Sequence, residues 1–243
     1  MKNKVQEIGP YRKIEKDEDG EEEEEEEEEV VVKIVETGID YGTFGNIWAS
    51  SMCLSRYLST EKGRRRVNGK SVLELGSGTG LGGLSAVIFG GASSVVLTDV
   101  PEAMEDLNSN VSLNLRSTKK GSISTMSLTM GDSDNEAHEK VRTLKPDIIL
   151  CSDIMYNSKM IQLVCKTLRR VVVSSKTEIL IAFTDRTVKG DPEPLEKLAE
   201  HGFCCVNRVN LMGLACCRSL CEMEDYYYLD DVEVWLWELR LLN

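Results

Sequence analysis

The strongest chemical signal in the sequence is a glycine-rich turn that directly follows an apolar run. Residues 74–80 read ELGSGTG, so that Gly76, Gly78 and Gly80 stand at alternate positions. Glycines at this spacing let the chain turn sharply and let a ligand approach the backbone, where a Cβ atom would block it. The helix that follows would offer free N–H groups to a carboxylate or a phosphate. The turn therefore favours a nucleotide-type ligand, and Gly78, Gly80 and Gly83 also fit the GxGxxG spacing of dinucleotide folds.

Two carboxylates near this turn narrow the choice of ligand. Asp99 ends the next apolar run, VVLTD, and a carboxylate about 20 residues after such a turn can bind the hydroxyls of a ribose. Together the turn and Asp99 indicate a cofactor that contains adenosine. Glu74 stands two residues before Gly76, and the ammonium group of S-adenosylmethionine needs an acceptor nearby. Glu74 therefore favours S-adenosylmethionine over NAD.

A third group of residues could hold the molecule that reacts. Residues 147–156 read DIILCSDIMY, in which a mostly apolar run leads into Asp153 and then Tyr156. Ligands of open α/β folds bind at the carboxyl ends of the strands, so both side chains are expected to face the reacting groups. The alternative is that Asp153 caps the next helix and Tyr156 only packs.

The elements that must position these residues alternate in the order of β-α-β units. We predict seven strands, near residues 72–75, 94–98, 123–128, 147–152, 178–183, 204–209 and 232–239. Helical patterns lie near residues 81–89, 103–115, 159–171 and 192–201, and a further helix begins at about Trp48. The last two strands have no helix-length apolar pattern between them, so the final strand is expected to pair antiparallel. The fold class is therefore a doubly wound α/β sheet.

Acidic residues are concentrated at the start of the chain. Residues 1–29 contain 14 of the 41 acidic and 5 of the 29 basic side chains, including nine consecutive glutamates at 21–29. Such a run repels itself and offers no apolar surface, so we predict a disordered acidic tail over residues 1–29 and a folded domain over residues 30–243. The domain itself is nearly neutral, with 27 acidic and 24 basic side chains. That balance does not favour a nucleic-acid partner.

Cysteine spacing and hydropathy bear on metal binding and location. The eight cysteines lack the paired CxxC spacing of zinc sites, so no metal is predicted. No stretch approaches the ~20 apolar residues of a membrane span, and the charged first residues are unlike a signal peptide. We therefore expect a reduced protein of the cytoplasm, with the nucleus as a further location, and no membrane association.

The order of ELGSGTGLGG, VVLTD, DIILCSDIMY and the terminal VEVWLWEL resembles the class I, seven-β-strand methyltransferases that use S-adenosylmethionine. It is most similar to the methyltransferase-like 21 group of protein-lysine methyltransferases. The resemblance covers residues 38–241 and is most specific in the DxxY tetrad at Asp153 to Tyr156, together with the upstream Trp48. It implies a Rossmann-like sheet of strand order 3-2-1-4-5-7-6.

The same resemblance implies roles for particular residues. Cofactor contacts are expected from Trp48, Gly76, Ser77, Gly78, Asp99 and Ser152, beside the Glu74 contact inferred above. The family usually has a tryptophan before a glycine after the third strand, whereas this chain has Met130 before Gly131. The Met130 thioether can still cover an adenine face. Asp153 and Tyr156 are expected to be catalytic, acting on a lysine side chain of another protein.

Three other functions also fit parts of these patterns. A small-molecule N- or O-methyltransferase shares the glycine turn and Asp99, and an NAD(P)-dependent oxidoreductase would explain the same two features. A non-catalytic, cofactor-binding interaction module fits everything except the need for Asp153 and Tyr156 together. For the preferred function we expect a monomer whose protein substrate is a chaperone, an ATPase or a translation factor.

Overall fold

A seven-stranded sheet forms the centre of the protein in the computed structural model, which describes residues 5–10, 30–38, 42–118, 121–131, 135–184, 193–221 and 233–242. Its strands are β3 (Ser71–Leu75), β4 (Ser94–Asp99), β5 (Ser122–Ser127), β6 (Ile148–Ser152), β7 (Glu178–Thr184), β8 (Phe203–Asn210) and β9 (Val234–Leu241). Their order across the sheet is β5-β4-β3-β6-β7-β9-β8. When these seven strands are counted along the chain, this is the order 3-2-1-4-5-7-6, which confirms the prediction.

The strand directions follow from the connections. Strands β3 to β7 are parallel, whereas β9 pairs antiparallel with both β7 and β8. Parallel neighbours need a crossover on one face of the sheet, but antiparallel neighbours can be joined without one. Between β8 and β9 the described chain contains only the short helix α8 (Ala215–Cys221). The predicted antiparallel final strand is therefore confirmed.

Helices cover both faces of the sheet. Besides α8 they are α1 (Ala49–Ser59), α2 (Glu61–Val67), α3 (Leu81–Ile88), α4 (Met104–Asn114), α5 (Asn135–Leu144), α6 (Ser158–Val171) and α7 (Pro194–Glu200). Alternate strand residues enter two separate buried clusters, with Val72 and Leu150 in one and Leu73 and Ile149 in the other. This alternation places a core on each face.

The five predicted helices are present, whereas α2, α5 and α8 were not predicted. Helices α2 and α8 are only seven residues long. Helix α5 reads NEAHEKVRTL, so its apolar stripe is narrow and consists mainly of Ala137 and Val141. Helices α2 and α8 are too short to show a hydrophobic period, and α5 was missed because most of its residues are polar.

The structure of the N-terminal segment contradicts part of the prediction of a disordered tail. Strand β1 (Val5–Ile8) pairs antiparallel with β2 (Val32–Val35), so the prediction is wrong for these four residues. The physical reason is that the partner of β1 lies far along the chain, where local composition cannot reveal it. Residues 11–29, with the glutamate run, lie outside the described residues.

The β1–β2 hairpin is attached to helix α4 by two buried asparagine side chains. Asn110 Oδ1 accepts a hydrogen bond from the Val35 N–H, and Asn114 Oδ1 accepts one from the Lys33 N–H, each at 2.8 Å. These bonds satisfy backbone groups that β1 leaves unpaired on the other edge of β2. The hairpin is therefore an integral part of the domain.

No helix in the described part of the chain combines the length and apolar character needed to cross a bilayer. Over those same ranges, His, Cys, Asp and Glu side chains do not gather in groups of three or more that could hold a metal ion.

Truncation of Ile8 tests whether the hairpin belongs to the core. Ile8 is 3% exposed and packs in the same cluster as Val32 and Ile34. We expect Ile8→Ala to lower the free energy of unfolding in urea by about 2–4 kcal/mol, because the truncation leaves a cavity. The matched control is Val5→Ala, since Val5 is 47% exposed, and its effect should stay within about 0.5 kcal/mol. Equal stabilities of the two variants would show that β1 contributes nothing to the core.

Candidate active site

A cleft opens at the carboxyl ends of β3, β4 and β6. Strand β3 is the first strand of this sheet along the chain; β4 and β5 follow on one side of it, and β6 and the later strands lie on the other. Its volume is about 480 Å³. Its walls come from the loop before α1, the glycine turn, the ends of three strands and the start of α6. The lining residues are Thr43, Phe44, Asn46, Trp48, Ser51, Gly76, Ser77, Gly78, Thr79, Asp99, Val100, Leu128, Thr129, Met130, Ser152, Asp153, Ile154, Tyr156, Met160 and Leu163.

The glycine turn needs glycine for two separate reasons. Gly76 and Gly78 have φ angles of +64° and +53°, a conformation that side chains with a Cβ atom rarely adopt. A Cβ atom on Gly76 would also lie 2.7 Å from Ile154 Cγ2 and 2.8 Å from Met130 Cε. Both glycines line the cleft, so their backbone is open to a ligand, as the sequence predicted.

Hydrogen bonds fasten the turn to the end of β4. The Gly78 N–H donates to Asp99 Oδ2 at 2.7 Å, and the Ser77 N–H donates to the carbonyl of Thr98 at 2.9 Å. The Val100 N–H donates to Asp99 Oδ1, also at 2.7 Å. Burial raises the pKa of Asp99, although these two N–H bonds act in the opposite direction. The structure thus brings Asp99 and the turn together as predicted, with each Asp99 oxygen keeping one lone pair for another donor.

Trp48 lies directly before α1 and lines the cleft. Its indole Nε1–H donates to the carbonyl of Thr43 at 2.8 Å, which closes the loop before the helix. The N–H of Ile47 donates to Glu36 Oε1 at 2.7 Å. Because Glu36 directly follows β2, the N-terminal hairpin supports this part of the cleft wall. The sequence predicted Trp48, whereas it gave no sign of the neighbouring Phe44 and Thr43.

Met130 and Ser152 also lie where the resemblance expected them. Met130 lines the cleft with its methyl group beside the glycine turn, and Ser152, the last residue of β6, lines it as well. Asp132, near Met130 in the sequence, lies outside the described residues. Met160 and Leu163 of α6 add apolar surface, and no motif in the sequence marked them.

Asp153 and Tyr156 both line the cleft just beyond the end of β6. Asp153 is 8% exposed, whereas Tyr156 is 41% exposed at the rim. The φ angle of Asp153 is +56°, which is unusual for a residue with a Cβ atom. Its N–H donates to the carbonyl of Ala182 at 3.0 Å, and Thr184 Oγ1 donates to its Oδ2 at 3.5 Å. The buried carboxyl group of Asp153 and the exposed phenol of Tyr156 therefore line one side of the cleft.

Glu74 is the predicted site residue that the structure places elsewhere. It does not line the cleft, and its side chain is fully buried beneath the first turn of α3. Its Oε2 accepts a hydrogen bond from the Gly83 N–H at 3.0 Å. The reason is the alternation of β3, which points Glu74 to the same face as Val72, where α3 packs. As a correction, this placement offers no direct contact between Glu74 and the ammonium group of a cofactor.

Burial also changes the protonation of Glu74. It raises the pKa of this carboxyl to about 8, against the opposing hydrogen bond from Gly83. The charged form is disfavoured chiefly because the site is enclosed, and the nearby Asp99 adds to the effect, whereas the hydrogen bonds from Gly83 and Ser77 oppose it. In this structure the Glu74 carboxyl group bonds to the backbone of the first turn of α3.

Comparisons with known proteins agree with this architecture. A family model described as lysine methyltransferase matches residues 26–201. Protein N-lysine methyltransferase METTL21A from Danio rerio is 30% identical over 58% of this chain and 61% of its own length. EEF1A lysine methyltransferase 3 from Xenopus tropicalis is 30% identical over 54% of each chain. The chain thus spans about half to three fifths of the length of these curated relatives.

Solved structures support the fold. A proposed methyltransferase complexed with SAH has a TM-score of 0.55 at 14% identity, covering 87% of this chain and 54% of that one. Magnesium protoporphyrin IX methyltransferase from Synechocystis PCC 6803, with bound SAH, has a TM-score of 0.50 at 11% identity, covering 79% and 83%. At such low identity these likenesses describe the fold alone.

The raised pKa of Glu74 predicts a pH-dependent stability. Its folded pKa of about 8 lies above the ordinary value of 4.5, so the folded protein binds the proton more tightly. The resulting stabilisation is complete below pH 4.5 and is lost as the pH rises through 8. We expect the free energy of unfolding in urea to fall between about pH 5 and pH 8.5 more steeply in the wild type than in Glu74→Gln.

The control for this measurement is Glu61→Gln, because the Glu61 side chain is 78% exposed. That variant should keep the pH dependence of the wild type. Parallel stability curves for the wild type and Glu74→Gln would show that Glu74 does not titrate in this range.

Proposed function

We propose, from the premise that this chain belongs to the lysine methyltransferase family, that it binds S-adenosylmethionine in the cleft and methylates a lysine side chain of another protein. The proposal combines that membership with the charge of the cleft.

The charge of the cleft is the observation that carries the proposal. Among its lining residues, as far as the structure describes them, the acidic side chains are Asp99 and Asp153, and lysine and arginine are absent. Two carboxylates in a partly enclosed cleft favour cations, such as a sulfonium group and an amine. A dinucleotide would instead bring a pyrophosphate, which needs positive charge or free N–H groups.

Glu74 strengthens this distinction. In dinucleotide-binding folds the N-terminus of the helix after the glycine turn binds the pyrophosphate. Here the Gly83 N–H, in the first turn of α3, is already bonded to the buried Glu74 carboxylate. This N–H is therefore not free for a pyrophosphate, which makes the turn less suited to NAD than to S-adenosylmethionine.

The residues of the cleft fit the cofactor. The open backbone at Gly76 and Gly78 provides a cradle that a Cβ atom would fill, and Asp99 can accept from the two hydroxyls of a ribose. Met130 and Trp48 provide polarisable surfaces for an adenine ring. When bound, the cofactor supplies a methyl group on a positively charged sulfur.

Asp153 and Tyr156 are proposed to hold the acceptor amine. A solvated lysine has a pKa of about 10.4, so only about one in a thousand is neutral near pH 7.4. A neighbouring carboxylate favours the ammonium form, whereas partial burial in the cleft favours the neutral amine, which has the free lone pair that attack requires. The ammonium group must therefore first give up a proton, which the Asp153 carboxylate can accept. Asp153 and Tyr156 can then accept its N–H groups and align the nitrogen, and alignment accounts for most of the rate enhancement in such a displacement.

The substrate protein and its location extend the same proposal. One relative is named for methylating EEF1A, and we propose that the substrate here is a translation factor, a chaperone or an ATPase. The seven cysteines that the structure describes are free, which fits a reducing compartment such as the cytoplasm or the nucleus. We propose that the enzyme acts as a monomer.

Calorimetry tests the cofactor assignment. We expect the wild type to bind S-adenosylhomocysteine and not NAD, and Gly78→Arg to lose that binding because its side chain would fill the cradle. Gly69→Arg is the matched control, since Gly69 also has a positive φ angle, of +71°, but lies in open space away from the cleft. Undiminished binding by Gly78→Arg, or binding of NAD by the wild type, would overturn the assignment.

Variants of Asp153 and Tyr156 test the acceptor site. We expect Asp153→Asn to reduce transfer of labelled methyl groups to protein by about a hundredfold or more, while S-adenosylhomocysteine still binds. Tyr156→Phe should be milder because its ring still shapes the pocket. Asp147→Asn, at the opposite end of the same strand, is the control and should retain the wild-type rate. Wild-type rates in both cleft variants would make Asp153 and Tyr156 structural residues.

A further inference from the structure

Two buried hydroxyl groups lie next to Asp153 without being part of the cleft wall. Ser50, in the first turn of α1, is fully buried, and Thr184, the last residue of β7, is 4% exposed. Their hydroxyl oxygens are 2.7 Å apart. Thr184 Oγ1 also lies 3.5 Å from Asp153 Oδ2. The three side chains form a continuous chain from α1, across the end of β7, to the carboxylate at the end of β6.

The chemistry of the three groups fixes the direction of this chain. In the contact of 3.5 Å the Thr184 hydroxyl donates to Asp153 Oδ2, a long hydrogen bond. A threonine hydroxyl has one proton, and Ser50 must therefore donate to Thr184. Hydrogen bonds arranged in one direction polarise one another. The chain thus presents an O–H donor to Asp153 from a position that solvent does not reach.

The backbone at Asp153 shows why such support matters. Its φ angle of +56° is costly for a residue with a side chain, and such conformations persist where the surroundings over-determine them. The bond from the Asp153 N–H to the carbonyl of Ala182 holds the backbone against β7. The bond from Thr184, two residues later on the same strand, acts on the carboxylate. Backbone and side chain of Asp153 are thus both held by the end of β7.

We propose that Thr184 and Ser50 are positioning residues that hold the carboxylate of Asp153 in the orientation that receives the acceptor amine. This inference rests on the proposed function, and it extends the acceptor site to two residues that do not touch the substrate. The three side chains also connect the part of the cleft wall around Trp48 to the part around Asp153, because α1 begins directly after Trp48 and carries Ser50 in its first turn.

A purely structural role is the competing explanation, since a buried hydroxyl pair could simply join α1 to β7. The protein has a matched residue for comparison at the other end of β7. Thr177 is 5% exposed, and its hydroxyl donates to the carbonyl of Pro146 at 3.0 Å. Loss of this hydroxyl removes a buried hydrogen bond of the same kind without affecting Asp153.

The kinetic test compares four variants, using as substrate the unmethylated form of a protein that the wild type methylates. The variants are Thr184→Val, Thr184→Ser, Ser50→Ala and Thr177→Val. For Thr184→Val we expect kcat to fall roughly ten- to a hundredfold, because the carboxylate loses alignment. The KM for the protein and the affinity for S-adenosylhomocysteine should stay within about twofold. Thr184→Ser should restore kcat, Ser50→Ala should lower it less than Thr184→Val, and Thr177→Val should lower stability alone. A wild-type kcat in Thr184→Val, or an equal loss in Thr177→Val, would overturn the proposal.

A second measurement does not depend on turnover. The ¹³C signal of the Asp153 carboxyl group, assigned by its absence in Asp153→Asn, reports the hydrogen bonds that this group accepts. We expect the signal to shift in Thr184→Val and to stay unchanged in Thr177→Val. An unchanged signal in Thr184→Val would refute the positioning role. If the wild type methylated no protein, the proposed function would fail, and this signal would still decide whether Thr184 holds Asp153.

Discussion

The shape of the cleft depends on the hydrogen bonds that the buried residue Glu74 accepts. Its Oε2 accepts from the Gly83 N–H, and the Glu74 carbonyl accepts from the Thr98 hydroxyl at 2.7 Å. One residue thereby joins β3, α3 and β4 beneath the glycine turn. Glycine is required above it, because a Cβ atom on Gly82 would lie 2.3 Å from Glu74 Oε1. The raised pKa of Glu74 reflects the free-energy cost of enclosing this group.

The chemistry of the cleft follows from that arrangement. The Gly78 N–H donates to the Asp99 carboxyl group, and the Gly83 N–H in the first turn of α3 donates to Glu74. The open side of the cleft is left with backbone, apolar surface and carboxylates. Such a site suits positively charged ligands, which is the requirement of methyl transfer from a sulfonium to an amine.

Reasoning from the sequence succeeded where chemistry follows strand ends. Asp153 was predicted because polar residues at the carboxyl ends of parallel strands meet at one edge of the sheet. Asp99 was predicted from its spacing after the glycine turn, and Ser152 from the family resemblance alone. Thr184 ends β7 at the same edge and could have been found by the rule that predicted Asp153. Glu74 was misplaced because its proximity to Gly76 was weighed without the alternation of β3, which Val72 already indicated. The β1 strand was missed because pairing across a long separation leaves no local signal.

The identity of the methylated atom tests the central claim most directly. The purified protein would be incubated with S-adenosylmethionine carrying an isotopically labelled methyl group and with a cell extract, and the products would be analysed by mass spectrometry. An acidic cleft that selects an amine predicts the label on the Nζ atom of lysine side chains in one or a few proteins. Label confined to nucleic acid, to small molecules or to protein side chains other than lysine would contradict it.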